Sequence, residues 1–164
     1  MGGKSIPLTQ GLFAIVDEED FDQLNLYKWY ASKRSNGGYV AMRDERKRGV
    51  YHRHIYMHRE IMKTPSDQMT DHRNGDGLNN QKCNLRNCSR KENQRNKRRM
   101  SSLNSSGVRG IFWEKSCNRW RAQISIDNKN KHLGVFKSKE DAQAVYIEAS
   151  KSIYGEFSPY AGGV

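Results

Sequence analysis

Residues 70–93 read TDHRNGDGLNNQKCNLRNCSRKEN and set an acid beside an imidazole, Asp71 and His72. Asn84 follows twelve residues after His72, and Asn93 nine after that. Four chemistries compete for this stretch. A calcium loop of the helix–loop–helix kind needs Asp at its first position and Glu at its twelfth. Aligning Asn74, Asp76 and Gly77 puts His72 and Cys83 there, so both carboxylates are missing and calcium is excluded. A structural zinc site would take His72, Cys83 and Cys88, but it lacks a fourth ligand and the usual short cysteine spacing. The third reading is a plain polar turn, for which NGDG is sufficient chemistry by itself. The fourth is phosphodiester hydrolysis, which asks for an activated water, a cation at the leaving oxygen and in-line geometry.

The rest of the chain must position such a site and supply a partner for it. Its 164 residues hold one ordinary domain or two small ones, and with 35% hydrophobic content no single core is large. Lys and Arg exceed Asp and Glu by 29 − 18 = 11, which favours a polyanionic partner. A membrane-surface protein would also be basic, but no strongly apolar helical face lies beside a basic cluster. No run approaches the ~18 apolar residues of a membrane span, and no apolar run follows the N-terminus as in a signal peptide. Ile6 stands where a myristoylation signal wants Ser or Thr, and GKS lacks the upstream Gly of a phosphate-binding loop. Three cysteines, Cys83, Cys88 and Cys117, suit a reducing interior better than a disulfide framework. These points lead to an intracellular, cytoplasmic expectation.

Along the chain the expected class is α+β. SIPLT and LFAIV are short apolar runs, and KWYASK and YVAMR flank the turn signal SNGG. GVYHRHIYM reads as a third strand, followed by a short helix around HREIM that Pro65 must stop. The acidic DEEDFDQLNL reads as a helix with Phe21, Leu24 and Leu26 as its apolar positions, placed away from any polyanion. Ser89 and Glu92 stand in capping-box register, so a helix begins there and carries six Lys/Arg between Arg90 and Arg99. RRMSSLNSSG then loses all periodicity and reads as a linker. In RWRAQISI the alternation returns: Arg119, Arg121, Gln123 and Ser125 on one face, Trp120, Ala122, Ile124 and Ile126 on the other. Ser138 caps a final helix with Ala142, Val145, Tyr146, Ala149 and Ile153 as its stripe, closing at Gly155. Sheet and helix together make a minimal second module.

Asp71-His72, Asn84 and Asn93 within NLRNCSRKEN resemble the His-Asn-His (HNH) endonuclease motif, with the last histidine replaced by asparagine as in many phage homing endonucleases. The likeness extends upstream through IPLTQGLFAIVDEEDFDQLNLYKWYASK and IYMHREIM, covering roughly residues 5 to 97. It implies a β-rich region leading into a ββα-metal (His-Me finger) unit: a nuclease domain over 1–97 with its core about 67–97, and a linker over 98–106. It also implies that His72 is the general base, that Asp71 and Asn93 hold the metal, and that Asn84 pins the loop behind the imidazole. Each role agrees with the residue's chemistry. An imidazole near pKa 6.5 is largely unprotonated at neutral pH. A carboxylate with a carboxamide is a hard, oxygen-only donor pair that favours Mg²⁺, or Mn²⁺ in its place, over Zn²⁺ or Ni²⁺. On a strand Asp71 and His72 point to opposite sides and would flank one phosphate. Lys91 and Arg95, on the capped helix, are candidate DNA contacts. His58 reads as a packed residue ahead of a second base, and His52 and His54 as a solvated or phosphate-facing edge.

GVRG, W…RWRAQI, HLGVF and EDAQAVY, over residues 107–160, resemble the APETALA-type (ethylene-response-factor) DNA-binding domain. That likeness implies a three-stranded sheet in the major groove, backed by one helix. Arg109, Trp113 and Gln123 match its groove-facing residues, and the alternation adds Arg119 and Arg121. Ile111 stands where the family commonly has Arg, and His132 where it has Trp. The whole implies a metal-dependent DNA endonuclease, nicking or homing, that leaves 5′-phosphate and 3′-hydroxyl ends on double-stranded DNA. One site per chain would cut one strand, with a monomer and a dimer both open. Its rivals are a non-catalytic DNA-binding regulator that keeps the nuclease fold, and an RNA-binding module.

Overall fold

The computed structural model describes residues 2–35, 37–46, 52–96, 104 and 106–161. The chain divides into two compact units, Met1–Gln94 and Arg95–Val164. The first begins with a hairpin of β1 (Gly3–Pro7) and β2 (Phe13–Asp17), and α1 (Glu18–Asn25) follows directly. A three-stranded antiparallel sheet comes next, β3 (Tyr30–Lys33), β4 (Tyr39–Arg46) and β5 (His52–Tyr56), running straight into α2 (Met57–Ile61). The hairpin β6 (Met69–His72) and β7 (Leu85–Cys88), with α3 (Arg90–Arg95), closes the sequence of elements.

Local chemistry explains most of these elements. Gly37 and Gly38 both take positive φ in the turn between β3 and β4, the conformation that SNGG favours. Ile6, Ala14, Val16, Leu24, Trp29, Ala41 and Met57 form the core of this unit, with Leu8, Phe21, Ile55 and Ile61 packed on it. β2 alternates as a half-buried strand should, Ala14 and Val16 inward and Phe13 and Ile15 outward. The capping box at Ser89 forms: the Glu92 N–H donates to Ser89 Oγ at 3.3 Å, and Glu92 Oε2 accepts the Ser89 N–H at 2.8 Å.

Two expectations need correction. Leu26 is not an apolar anchor of α1; it follows the helix as its cap and is 79% exposed. Pro65 does not end α2, because the chain leaves the helix at Met62 and takes a left-handed turn at Lys63, φ 44°, before reaching the proline.

The second unit is an antiparallel sheet of β8 (Ile111–Glu114), β9 (Arg119–Ile126) and β10 (Lys129–Phe136), with β9 central, covered by α4 (Lys139–Tyr154). Its core is Val108, Ile111, Ala122, Ile124, Ala142, Tyr146 and Tyr154. Ser138 caps α4 by accepting the Asp141 N–H at 3.0 Å. Gly110 has no tolerable substitute: its φ is +69°, and a Cβ there would meet Gln123 O at 2.3 Å and the Tyr146 ring at 2.4 Å. Of the expected linker over 98–106, only Asn104 and Ser106 lie within the described residues. Neither is a free tether, since Asn104 Nδ2 and Ser106 Oγ each donate to Val108 O at 2.8 Å.

Candidate active site

β6 and β7 pair with Met69 opposite Cys88, Asp71 opposite Arg86 and His72 opposite Leu85. Cross-strand partners share a face and neighbours along a strand alternate, so Asp71 and His72 look to opposite sides. On one side, the Asp71 carboxylate accepts from Arg86 Nε at 3.1 Å and Nη2 at 2.7 Å, both bonds falling on Oδ2. Both side chains are buried. Asn93, on α3, lies against this same strand face, its Nδ2 at 3.6 Å from Met69 Sδ. Cys88 belongs to this side too, and burial together with the nearby Asp71 carboxylate pushes its thiol up to about 11.

On the other side, His72 is 2% exposed. Arg34 Nη2 approaches its Nδ1 at 3.4 Å, and Asn80 Oδ1 lies 3.3 Å from its Nε2. A guanidinium only donates, so Nδ1 accepts and Nε2 carries the hydrogen. The His58 ring from α2 meets the His72 ring edge-on, centroids 4.9 Å apart. Burial pushes His72 down to about 4, helped by the Arg34 charge and opposed by the Asn80 bond. His58, 9% exposed, is pushed to about 3 by burial, with His72 and Arg34 adding to it. Both imidazoles are therefore neutral at physiological pH.

The loop from Arg73 to Asn84 is held by its own side chains. Asn84 Oδ1 accepts the Asn74 N–H at 3.0 Å, and its Nδ2 donates to Asn79 O at 2.7 Å. Asn74 and Asp76 each accept the backbone N–H two residues on, at 2.8 and 3.0 Å. Asn84 thus spans the loop internally, while the residue touching the imidazole is Asn80, which the motif spacing did not single out. Arg34 was missed as well. No local pattern marks it, since it meets His72 across 38 residues of sequence.

Among the described residues no group of three or more His, Cys, Asp or Glu is placed to hold a metal ion, and His72 and Cys88 lie on opposite faces of the β6–β7 hairpin. Asp71 and Asn93 offer a carboxylate and a carboxamide beside one strand face, with Arg86 already on the carboxylate. That set fits a hard ion held partly by water and a substrate phosphate, and does not fit a tightly caged one.

His54 lies on a solvated edge as expected, its side chain 58% exposed, with Nδ1 2.7 Å from Asp44 Oδ1 and Tyr30 OH donating to the same oxygen at 2.9 Å. The side chain of His52 lies outside the described residues.

In the second unit Arg119, Arg121 and Gln123 share a face, with His132 opposite Gln123 in register and so beside it. Arg121 Nη1 bonds Glu114 Oε2 at 3.3 Å on that face. Trp113 departs from the expectation. It stands opposite Trp120, on the side of Ile111 and α4, with the two rings edge to face at 5.3 Å and Trp113 43% exposed. Arg109 is half-buried and donates to Arg95 O at 3.2 Å. Arg95 places its guanidinium 5.2 Å from the centre of the Tyr154 ring. Lys91 is exposed on α3.

The chain is 32% identical to an uncharacterized HNH endonuclease of Acanthamoeba polyphaga mimivirus over 149 residues, 91% of this chain and 74% of that protein. The chain belongs to the HNH endonuclease family. A second similarity, to Protein 3.8 of Escherichia phage T7, is 29% identical over 98 residues, 58% of this chain and 78% of that one. No protein-family model matches the chain, and no solved structure matches it. Family membership makes a nuclease-type function the frame for the site just described. Among the described residues no helix is long and apolar enough to cross a membrane.

Proposed function

We propose that this protein is a divalent-metal-dependent DNA endonuclease that hydrolyses one phosphodiester per site and leaves 5′-phosphate and 3′-hydroxyl ends. The observation that carries the reading is His72: a neutral, buried imidazole with a fixed Nδ1 acceptor, back to back with Asp71 on one strand. His72 takes a proton from water as its oxygen attacks phosphorus, the bond to the 3′-oxygen breaks, and that oxygen leaves to be protonated. Arg34 stands on the accepting nitrogen and has no carboxylate within ion-pair distance among the described residues. A substrate phosphate supplies the missing anion, and drawing Arg34 onto it frees Nδ1.

Asp71 and Asn93 would hold Mg²⁺, or Mn²⁺ in its place, which when bound supplies charge stabilisation at the scissile phosphate. Asn84 keeps the loop closed behind the imidazole. The Arg119, Arg121 and Gln123 face of the second unit, with Lys91, Arg95 and Arg109 as further contacts, binds duplex DNA in the manner of the APETALA-type sheet. A net charge of +11 supports a polyanionic partner. Tethered to the cutter, such a module raises its effective concentration at the site. A monomer nicks one strand; a homing role in a phage or bacterial genome extends the same reading.

One observation favours a second reading, a non-catalytic DNA-binding regulator: Arg86 already neutralises Asp71. Supercoiled plasmid separates the two. Relaxation to nicked circles with Mg²⁺, abolished by a chelator, supports the nuclease; tight duplex binding without any nicking supports the regulator.

A further inference from the structure

We propose that Asn80 is a positioning residue: its carboxamide holds His72 as the Nε2–H tautomer, so that Nδ1 faces the reacting water, and strand β2 holds Asn80 in turn. This rests on the reading of His72 as the base.

Asn80 is fully buried, at 0% exposure. Its Nδ2 donates to Leu78 O at 3.1 Å, which assigns the amide and leaves Oδ1 toward the imidazole. The acceptor on Nε2 and the donor on Nδ1 specify one tautomer between them. A neutral imidazole has two forms, and only one presents a lone pair at a given nitrogen.

The backbone of Asn80 is fixed from outside its own loop. Its N–H donates to Ile15 O at 2.7 Å, and the Ile15 N–H donates to Leu78 O at 2.8 Å, a short parallel bridge to β2. Asp17, at the end of that strand, accepts from Gln81 Nε2 at 3.2 Å and from the Lys82 N–H at 2.7 Å. From within the loop, Asn84 holds Asn79 O. Ile15 and Asp17 of β2 are thus committed to the loop that carries Asn80, and the N-terminal hairpin is part of the site's scaffold. The functional consequence follows from tautomer chemistry: holding a catalytic histidine in the wrong form costs about 10⁴ in kcat in a serine protease triad.

The test uses the full chain with ¹⁵N-labelled imidazoles, N80A, N80D and H72A, the last assigning the His72 signals. Long-range ¹H–¹⁵N spectra at neutral pH report the tautomer without reference to activity. Wild type is expected to show Nε2–H alone and N80A a mixture, because the long 3.4 Å approach of Arg34 to Nδ1 holds the tautomer only in part. Nicking by N80A should fall about 10²-fold in kcat with little change in KM. N80D, whose carboxylate still accepts the Nε2–H, should keep the tautomer and stay within about tenfold of wild type. If N80A does not fold, N80Q displaces the same carboxamide by one methylene and is expected to lose about tenfold or more. An N80A protein that keeps both tautomer and kcat overturns the proposal, as does N80D with the Nδ1–H form. Spectra as expected in a wild type that never nicks would keep the lock and sink the nuclease reading instead.

Discussion

Arg86 and Asp71 face each other across the β6–β7 hairpin and join at 2.7 Å with both side chains buried. A buried pair of this kind contributes little over an apolar replacement, but removing one partner strands the other's charge. Arg86→Met is therefore expected to destabilise the first unit by about 3–5 kcal/mol, read by urea unfolding at neutral pH. A loss below about 1 kcal/mol would mean that Asp71 finds another partner or takes up a proton.

Acid should unfold the protein through its two buried imidazoles. His72 and His58 titrate at about 4 and about 3 in the fold, against 6.5 for the ordinary side chain. Between those values the unfolded chain binds more protons, so their contribution is complete above about pH 6.5 and is lost as pH falls toward about 4 and then about 3. Urea midpoints should be flat from about pH 8 to 7 and decline below about 6.5, each imidazole adding a slope of up to about 1.4 kcal/mol per pH unit. His58→Phe should flatten that decline; an unchanged slope would remove His58 from the account.

Gly77 marks a close approach that the site requires. A Cβ there would meet Tyr39 O at 2.3 Å and Arg34 Nη2 at 2.6 Å. Gly77→Ala should push the loop from the β3–β4 turn and dislodge Arg34 from His72, costing about 1–3 kcal/mol of stability. Nicking should fall further than the unfolded fraction explains. Equal losses in both would assign the glycine to packing alone.

The sheet of the second unit makes a directional prediction. Arg119→Ala and Gln123→Ala should each weaken duplex binding, and Arg119→Ala should lower the salt slope by about one. Trp113→Ala, on the other face, should affect binding less than either. Fluorescence anisotropy with duplex DNA over a salt series measures all three, and a larger loss at Trp113 would contradict the face assignment.

The features legible in the sequence are those set by near neighbours. The Ser89–Glu92 box, the Ser138 cap, the SNGG turn and the alternation of RWRAQISI all depend on residues within one turn or one strand, and each is where local chemistry places it. The Asp71–His72 alternation was legible for the same reason. What was not legible depends on pairing across long separations. Arg34 reaches His72 through the β3–β4 turn, and Asn80 is fixed by a bridge to Ile15 that no periodicity announces. Arg86 is read as a ligand of Asp71 only once strand register is known. Trp113 shows the same limit: its face is decided by its cross-strand partner Trp120. Leu26 departs from its expectation because exposure depends on what packs nearby.

The most direct measurement is single-turnover nicking of supercoiled DNA by the wild type and His72→Ala, prepared identically, with Mg²⁺ present. Wild type should convert plasmid to nicked circles, and His72→Ala should do so at least about 10²-fold more slowly while binding DNA as well. Equal rates in the two proteins, or none in either, would contradict the assignment of His72 as the base.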